Sequence, residues 1–447
     1  MNREFFKARR FRVGLSILIA AAALFLMTNQ LKRISCTKEK VLKIGVFSDN
    51  YWGVQNGYAN KIIDDAIERF EKDHPEVKVQ YESGIMKTDY SEWLSEQMMN
   101  DSAPDVFFIL GSDFSTFARI GALKNLNDLI RKDSDFDPGV FYKTAYNYGN
   151  YDGRQFALPF ECAPNMMFVN KTILDMEKIE LPAEDWTWDD FYEICRRVTR
   201  DTDGTGIIDQ FGTVNYSWID AFDANGVKLF DDKGRDCDFT VPEISDAIIF
   251  LEKLNALNSG DSLYGRNFAQ GNVVFQPMLF SEYRAYKSQE LSFKKYSGFE
   301  WECVTMPSGP SGDNYSRLDT LSIAMSDKTT QEYYAWEFMK LLTSDAQIQS
   351  EIFDYSAGIS VLPKVTQSAE TQNRLKESTG SVFNLDILES AMRKSVFRTR
   401  FRGYDNALEE VGLAVRSILD SNSNIQMEQI IWNRTINNYM KTLQQNE

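Results

Sequence analysis

At 447 residues, with 43% hydrophobic and 13% aromatic side chains, the chain can bury a large core and is long enough for two domains, which excludes a single small module. Its formal net charge of −16 repels phosphate backbones and anionic headgroups, so neither a nucleic-acid partner nor a protein spread on a membrane surface matches it. An uncharged ligand suits this balance better.

Residues 1–36 differ from the rest and read as a signal peptide or membrane anchor. Arg3, Lys7, Arg9, Arg10 and Arg12 precede the apolar run Val13 to Met27, the layout of an export signal. The run is shorter than the roughly 20 apolar residues of a comfortable span. Ser35 before Cys36 resembles the lipobox of bacterial lipoproteins, with Cys36 as the lipidated residue, although Arg33 stands where leucine is usual. Lipidation, an uncleaved anchor and ordinary cleavage all place residues 40 onward outside the cytoplasm, the first two on the outer face of the cell membrane. The other four cysteines, Cys162, Cys195, Cys237 and Cys303, form no CxxC pair and have no zinc-site spacing. They either pair or remain buried thiols.

Val41 to Phe47 reads as a buried strand, and Tyr58 to Lys72 as a helix with Ile62, Ile63, Ala66, Ile67 and Phe70 at helical spacing. His74 and Pro75 end it, leaving His74 at the surface, and Val77 to Tyr81 alternates as a second strand. The pattern repeats with a helix over Trp93 to Met99, a strand over Asp105 to Leu110, a helix over Phe114 to Ile120, and Phe156 to Pro159 leading to a separate strand near Met166 to Val169. Further helices are expected over Trp188 to Arg200, capped by Thr187, and over Ser245 to Leu257, Gln331 to Leu342 and Ala407 to Leu419. This succession makes the class α/β, with mixed, mostly parallel sheets.

In order, the segments KIGVF, ERFEKDHPEVKVQY, APDVFFILGSDFSTFARIGALKNL, YDGRQFALPF with MMFVNKTIL, WTWDDFYEICRRVT, FAQGNVVFQPM, MPSGPSGD, AWEFMKLLTSDAQIQ and AGISVLPK resemble the extracellular solute-binding proteins of family 1, the group that includes the maltose-binding protein. The resemblance covers residues 41 to 440. It implies two α/β lobes joined by hinge strands, with 41–157 plus 306–342 in one lobe and 158–305 plus 343–447 in the other. Crossings are expected near Leu158 to Glu161, Val304 to Met306 and Leu342 to Asp345. It further implies a monomeric, non-catalytic receptor that encloses a sugar between its lobes and delivers it to the permease subunits of an ABC transporter, or else serves a surface sensor.

A sugar offers hydroxyl edges and weakly apolar faces, so its receptor needs aromatic platforms and several polar groups. Tyr51 and Trp52 follow the first strand, at the edge where ligands of parallel sheets bind. Ser112 reads as a helix cap or a contact, and Asp113 as the better ligand residue. Glu161 and Asn165 follow ALPF and should open toward the cleft; the family's acidic residue aligns with Ala163, so its role passes to Glu161 by proximity alone. Tyr216 and Trp218 are either platforms or core. Phe280 stands near the aromatic pair common in relatives, whose tryptophan is absent. Arg317 and Asp319 either bind hydroxyls or pair with each other.

Asp201, Asp203, Thr205, Gly206 and Asp209 resemble the start of a calcium loop, but Gly212 occupies the position of the closing glutamate, so a tight Asp/Gly turn is the preferred reading and no metal or cofactor is assigned. Arg398, Arg400 and Arg402 read as a solvated basic patch or a transporter-docking face. With one histidine there is no His-based triad, and no phosphate-binding glycine motif is present. Two carboxylates suffice for glycoside hydrolysis, so that chemistry stays open among 65 acidic residues.

Overall fold

The computed structural model describes residues 40–53, 60–82, 84–258, 268–288, 298–379, 384–398, 401, 403–421 and 423–445. The leader with Cys36, and Arg400 and Arg402 of the basic patch, lie outside the described residues.

Strands β1 (Lys40–Gly45), β2 (Val77–Tyr81) and β3 (Val106–Ile109) pair in parallel, with α1 (Lys61–Asp73), α2 (Lys87–Met99) and α3 (Gly111–Arg119) between and after them. Isoleucines 62 and 63, Ala66 and Phe70 form the buried stripe of α1, as the periodicity requires. A short hairpin, β4 (Asn150–Tyr151) and β5 (Arg154–Gln155), precedes β6 (Ala157–Asn170), which is buried throughout. The sequence suggested two segments here, because Pro159 and Pro164 look like breakers. Both instead occupy points where the ladder is already irregular. Pro159 faces Ser322 at a register shift, and Pro164 is the last residue of β6 paired with β10 (Ser316–Met325).

From Asn165 onward β6 changes partners, pairing antiparallel with β8 (Val273–Leu279) and β9 (Trp301–Val304), while β7 (Phe211–Thr213) lies parallel to β8. Two short strands complete the sheet: β11 (Ile359–Ser360) on β6 and β12 (Ser395–Val396) on β10. One long strand thus runs through two sheet halves, whose order is β2-β1-β3-β10-β6-β8-β7.

Two main cores follow from this. The first gathers β1 to β3, β10, α1, α8 (Glu332–Ser344) and α9 (Ala346–Tyr355), and extends through Leu375 to Met392. The second gathers α4 (Trp188–Val198), α5 (Trp218–Ala224), α6 (Pro242–Ala256), α10 (Tyr404–Asp420) and α11 (Ile425–Gln445). Alternation along β6 divides its far half, with Met167 and Val169 in the second core. Met166 and Phe168 face the other way and pack in the first. Thr187 and Ser217 begin α4 and α5 with capping boxes to Asp190 and Asp220, each contributing about 1 kcal/mol.

The expected crossing at Leu342 to Asp345 is not where the packing changes. Ile348, Ile352, Phe353 and the residues up to Met392 stay in the first core, and the chain reaches the second through β12 at Ser395–Val396. The passage expected at Val304 to Met306 is likewise displaced, since β9 pairs with the far half of β6 and Met306 packs in the second core. His74 is half-buried, its ring 4.6 Å from Phe70 and 5.7 Å from Tyr334.

Candidate functional site

The parallel strands β1 and β3 end beside the strands that join the two sheet halves, and the loop after β1 turns inward there. Asn50 Oδ1 accepts the Trp52 N–H at 2.8 Å and fixes the turn. Tyr51 packs edge-on to Trp52, ring centres 4.7 Å apart, and donates its hydroxyl to Asp319 Oδ1 at 3.1 Å. Asp319 and Arg317 are two residues apart on β10 and therefore point to the same face.

Lys87 was not foreseen. It opens α2, where a cation opposes the helix dipole, and Asp49 caps its backbone N–H at 2.6 Å. Its ammonium lies over the Tyr51 ring, 4.1 Å from the centre, and donates to the Tyr51 carbonyl. Burial pulls the Lys87 pKa down, and Asp319, Asp49 and Glu161 oppose that pull. One turn along α2, Ser91 donates to Asp113 at 2.5 Å, which ties Asp113 to the same edge. Ser112 is exposed and does not cap α3.

Glu161 is 4% exposed and sits between Trp52 and the turn after α9. Ser356 donates to its Oε2, and the Trp52 indole N–H lies beside the same oxygen without completing a hydrogen bond. Burial pushes the Glu161 carboxyl up, against the pull of Ser356, Trp52, Arg284 and Lys87. The packing favours glycine at 358, because a Cβ there would stand 2.6 Å from both Glu161 Oε2 and Trp52 Nε1 and one of them would have to shift. Arg284, on α7 (Phe280–Ser288), is buried and donates to the carbonyls of Ile352 at 3.3 Å, Phe353 at 2.6 Å, and Gly358. Burial lowers its pKa to about 10, still charged at neutral pH.

A second group lies across β10. Asn165 donates to Asp220 Oδ1 at 3.0 Å, and Arg317 stands 4.0 Å from the same oxygen. Arg317 thus pairs with Asp220, not with Asp319. Two expected site residues lie elsewhere. Phe280 is fully buried and stacked on Tyr283, so it offers no face to a ligand in this conformation. Trp218, the first residue of α5, packs edge-on to Phe222 and against Gly412 of α10. Tyr216 is core, accepting the Trp188 N–H at 2.9 Å.

Arg398 is not a solvated charge. It donates to Asp223 at 2.6 and 3.2 Å, in a half-buried position beside a cavity of about 370 Å3. Asp201, Asp203 and Asp209 converge within 4.8 Å, but Asp201 accepts backbone N–H groups from Gly204 and Gly206 at 2.8 and 2.6 Å, the bonding of a tight turn. All four described cysteines are buried, and Cys162, Cys195 and Cys237 are free thiols.

An α/β sheet crossed by long hinge strands, with polar groups from two cores meeting at the crossing, defines the class of two-lobed binding proteins. Residues 55–349 match the family model described as bacterial extracellular solute-binding protein, and the chain belongs to that family. The arabinooligosaccharide-binding protein of Halalkalibacterium halodurans is 22% identical over 232 residues, which are 48% of this chain and 50% of that protein. An ABC transporter extracellular-binding protein of Pyrococcus horikoshii, itself uncharacterised, is 26% identical over 138 residues, 30% of each chain. The chain thus aligns with half or less of the length of these curated relatives.

Solved structures cover more of it. An ABC substrate-binding protein of Listeria monocytogenes in complex with cycloalternan is 19% identical with a TM-score of 0.67, covering 90% of this chain and 100% of its own. The sugar-binding protein MalE of Xanthomonas citri is 13% identical with a TM-score of 0.73, covering 90% and 98%. At these identities the likeness concerns the fold, and the fold is a type II binding-protein architecture, the two α/β lobes joined by hinge strands that the sequence resemblance implied. The family's extracellular character places the chain outside the cytoplasm. No described helix is long and apolar enough to cross a membrane.

Proposed function

We propose that the chain is the substrate-binding component of an ABC transporter and takes a neutral sugar or oligosaccharide at the hinge. The observation that carries this reading is the convergence of Tyr51, Trp52 and Glu161 with Arg317 and Asp319 across β6 and β10. The cations are matched within the protein, Lys87 facing Asp319 and Glu161, and Arg317 facing Asp220. With both cations already matched by carboxylates, the site leaves no free positive charge for an anionic ligand, its carboxylates can accept from hydroxyls, and the aromatic pair favours a ligand with apolar ring faces. Asp113 and Asn165 complete the polar set.

The lobes of this reading follow the two sheet halves. By strand pairing, the first comprises residues 40 to 164 with 318 to 394 and the second residues 165 to 315 with 397 to 445, while Met166, Phe168, Phe280 and Trp301 of the second stretch pack into the first core. Closure about β6, β10 and β12 encloses the sugar, and the closed form engages the permease subunits. The protein acts as a monomer without catalysis, held at the outer face of the membrane by lipid on Cys36 or by the leader as an anchor.

The test uses the full-length chain in a sugar-free detergent with a panel of glucose, mannose and arabinose oligosaccharides. A ligand-dependent rise in melting temperature without release of reducing ends supports the reading, since binding stabilises the folded state by mass action. Stabilisation only by peptides, amino acids or polyamines, or catalytic product release, overturns it. In the same assay Trp52→Ala weakens binding at least tenfold with its melting temperature kept.

A further inference from the structure

The second sheet half sends a buried cation into the first core. Strand β8 ends at Leu279, which pairs with Asn165 of the hinge group, and α7 follows directly. Phe280 and Tyr283, stacked with ring centres 5.3 Å apart, carry α7 into the first core, and the buried Arg284 comes next.

The Arg284 guanidinium meets both ends of one turn. In the last turn of α9, Nη2 donates to the Phe353 carbonyl at 2.6 Å and Nη1 to the Ile352 carbonyl at 3.3 Å. Nη1 also donates to the carbonyl of Gly358, on the far side of the turn. The last carbonyls of a helix lack partners within it, and the helix dipole favours a cation there, so the contact suits both groups. Beyond Gly358, β11 pairs with β6, Ile359 opposite Cys162 and Ser360 opposite Glu161. The turn between α9 and β11 is therefore spanned by Arg284.

That turn faces Trp52. Ser356 donates to Glu161 Oε2, and the place a Gly358 Cβ would take lies 2.6 Å from Trp52 Nε1 and 3.0 Å from Trp52 Cε2. The indole N–H completes no hydrogen bond among the described residues, so on this edge the ring is located by contact with the turn. The turn in turn is located by Arg284. A lysine could not replace it fully, because one ammonium is a compact donor whereas the planar fork reaches carbonyls on both sides of the turn.

We propose that Arg284 is a positioning residue for the sugar site: through the Gly358 turn it fixes the Trp52 platform, and it ties that platform to β8 and so to the second sheet half. The proposal rests on the reading of Trp52 as a ligand contact at the hinge. It adds a buried residue that never touches the ligand yet sets its affinity.

A double-mutant cycle on the full-length chain, in a sugar-free detergent, tests this by calorimetric titration of the panel sugar that binds best. Arg284→Lys weakens binding about fivefold or more, the loss of one ligand contact, and Arg284→Gln weakens it further. In the Trp52→Ala background the same changes shift Kd less than about twofold, because two changes acting through one group are not additive. The melting temperature falls in both backgrounds, and Arg284→Lys, which keeps the charge, decides the matter if Arg284→Gln does not fold. A second readout needs no sugar: acrylamide quenching of tryptophan fluorescence rises in Arg284→Lys, and that substitution leaves it unchanged once Trp52 is replaced by alanine. Unchanged Kd in the Arg284 variants, an equal loss in both backgrounds, or quenching indifferent to Trp52 overturns the proposal. If Trp52→Ala weakens binding and the Arg284 variants do not, the hinge reading stands and the proposal alone falls. If Trp52→Ala leaves Kd unchanged, or no panel sugar binds, both fall.

Discussion

Gly358→Ala probes the hinge site through a single methyl group. The added carbon would lie 2.6 Å from Glu161 Oε2 and from Trp52 Nε1, and 3.0 Å from Trp52 Cε2, whereas ordinary contact begins at 3.4 Å. Something must therefore move by about 0.8 Å, the gap between those distances. Glu161 resists, because its oxygen is held by Ser356 and its backbone belongs to the buried strand β6. The indole is freer, since its N–H has no completed hydrogen bond, so Trp52 is displaced. Over-packing of this kind costs about 1 to 3 kcal/mol of stability. A platform displaced by that distance, with one or two ligand contacts weakened at about 1 kcal/mol each, loses about tenfold in affinity. Titration calorimetry on the best panel sugar gives the affinity and a melting curve gives the stability. A lowered melting temperature with Kd unchanged would refute the placement of Trp52 and Glu161 at the ligand, because the methyl cannot enter without disturbing them.

Two further outcomes follow from buried charge. Arg284→Gln removes a guanidinium that serves three carbonyls at and after the end of α9, so the melting temperature falls by several degrees, a loss on the order of 3 kcal/mol by calorimetry; an unchanged melt would show these contacts to be idle. Glu351 has its carboxyl pushed up to about 7, first by burial and then by Asp65, against Lys61 and Arg374. Its folded form then binds a proton more tightly than the unfolded chain between about pH 4.5 and 7, so its contribution is harmless at the acid end, turns unfavourable as pH rises through that window, and is fully unfavourable above it. Glu351→Gln should match the parent at pH 4.5 and exceed it at pH 8 by on the order of 1 kcal/mol, allowing for solvent screening of a half-exposed group; equal melting temperatures at both values would contradict the shift.

The elements visible in the sequence were those whose signal is local. The stripe of α1, the capping box of α4 and the buried strands β1 and β3 are written in residues a few positions apart. The continuity of β6 was hidden because proline reads as a breaker, and its acceptability depends on a register shift at Phe160 against a partner strand more than 150 residues away, as Ser322 is from Pro159. The crossing at β12 was hidden because two residues carry no periodic pattern. Phe280 was expected at the site from its place after β8, but its stacking on Tyr283 is set by packing that a motif does not encode. Lys87, Arg284 and Asp223 were missed for a related reason. Their partners are set by tertiary folding, though a lysine at the start of α2, where the helix dipole disfavours it, was a sign open to reading.

On the proposed reading, the same non-local pairs explain why the hinge suits a ligand. Tyr51 and Asp319, 268 residues apart, connect the loop after β1 to β10, and Asp220 with Arg317 connects α5 of the second core to the same strand. Because Arg317 and Asp319 share a face of β10, a ligand that contacts both is in contact with groups held by each core. Its binding energy then depends on how the cores are disposed, so it differs between open and closed forms. That difference is the whole extent to which a ligand can shift the balance between them. A sugar bound wholly within one core would be held without moving the other, whereas on the proposed reading the pairs at β10 bring groups of both cores to the ligand.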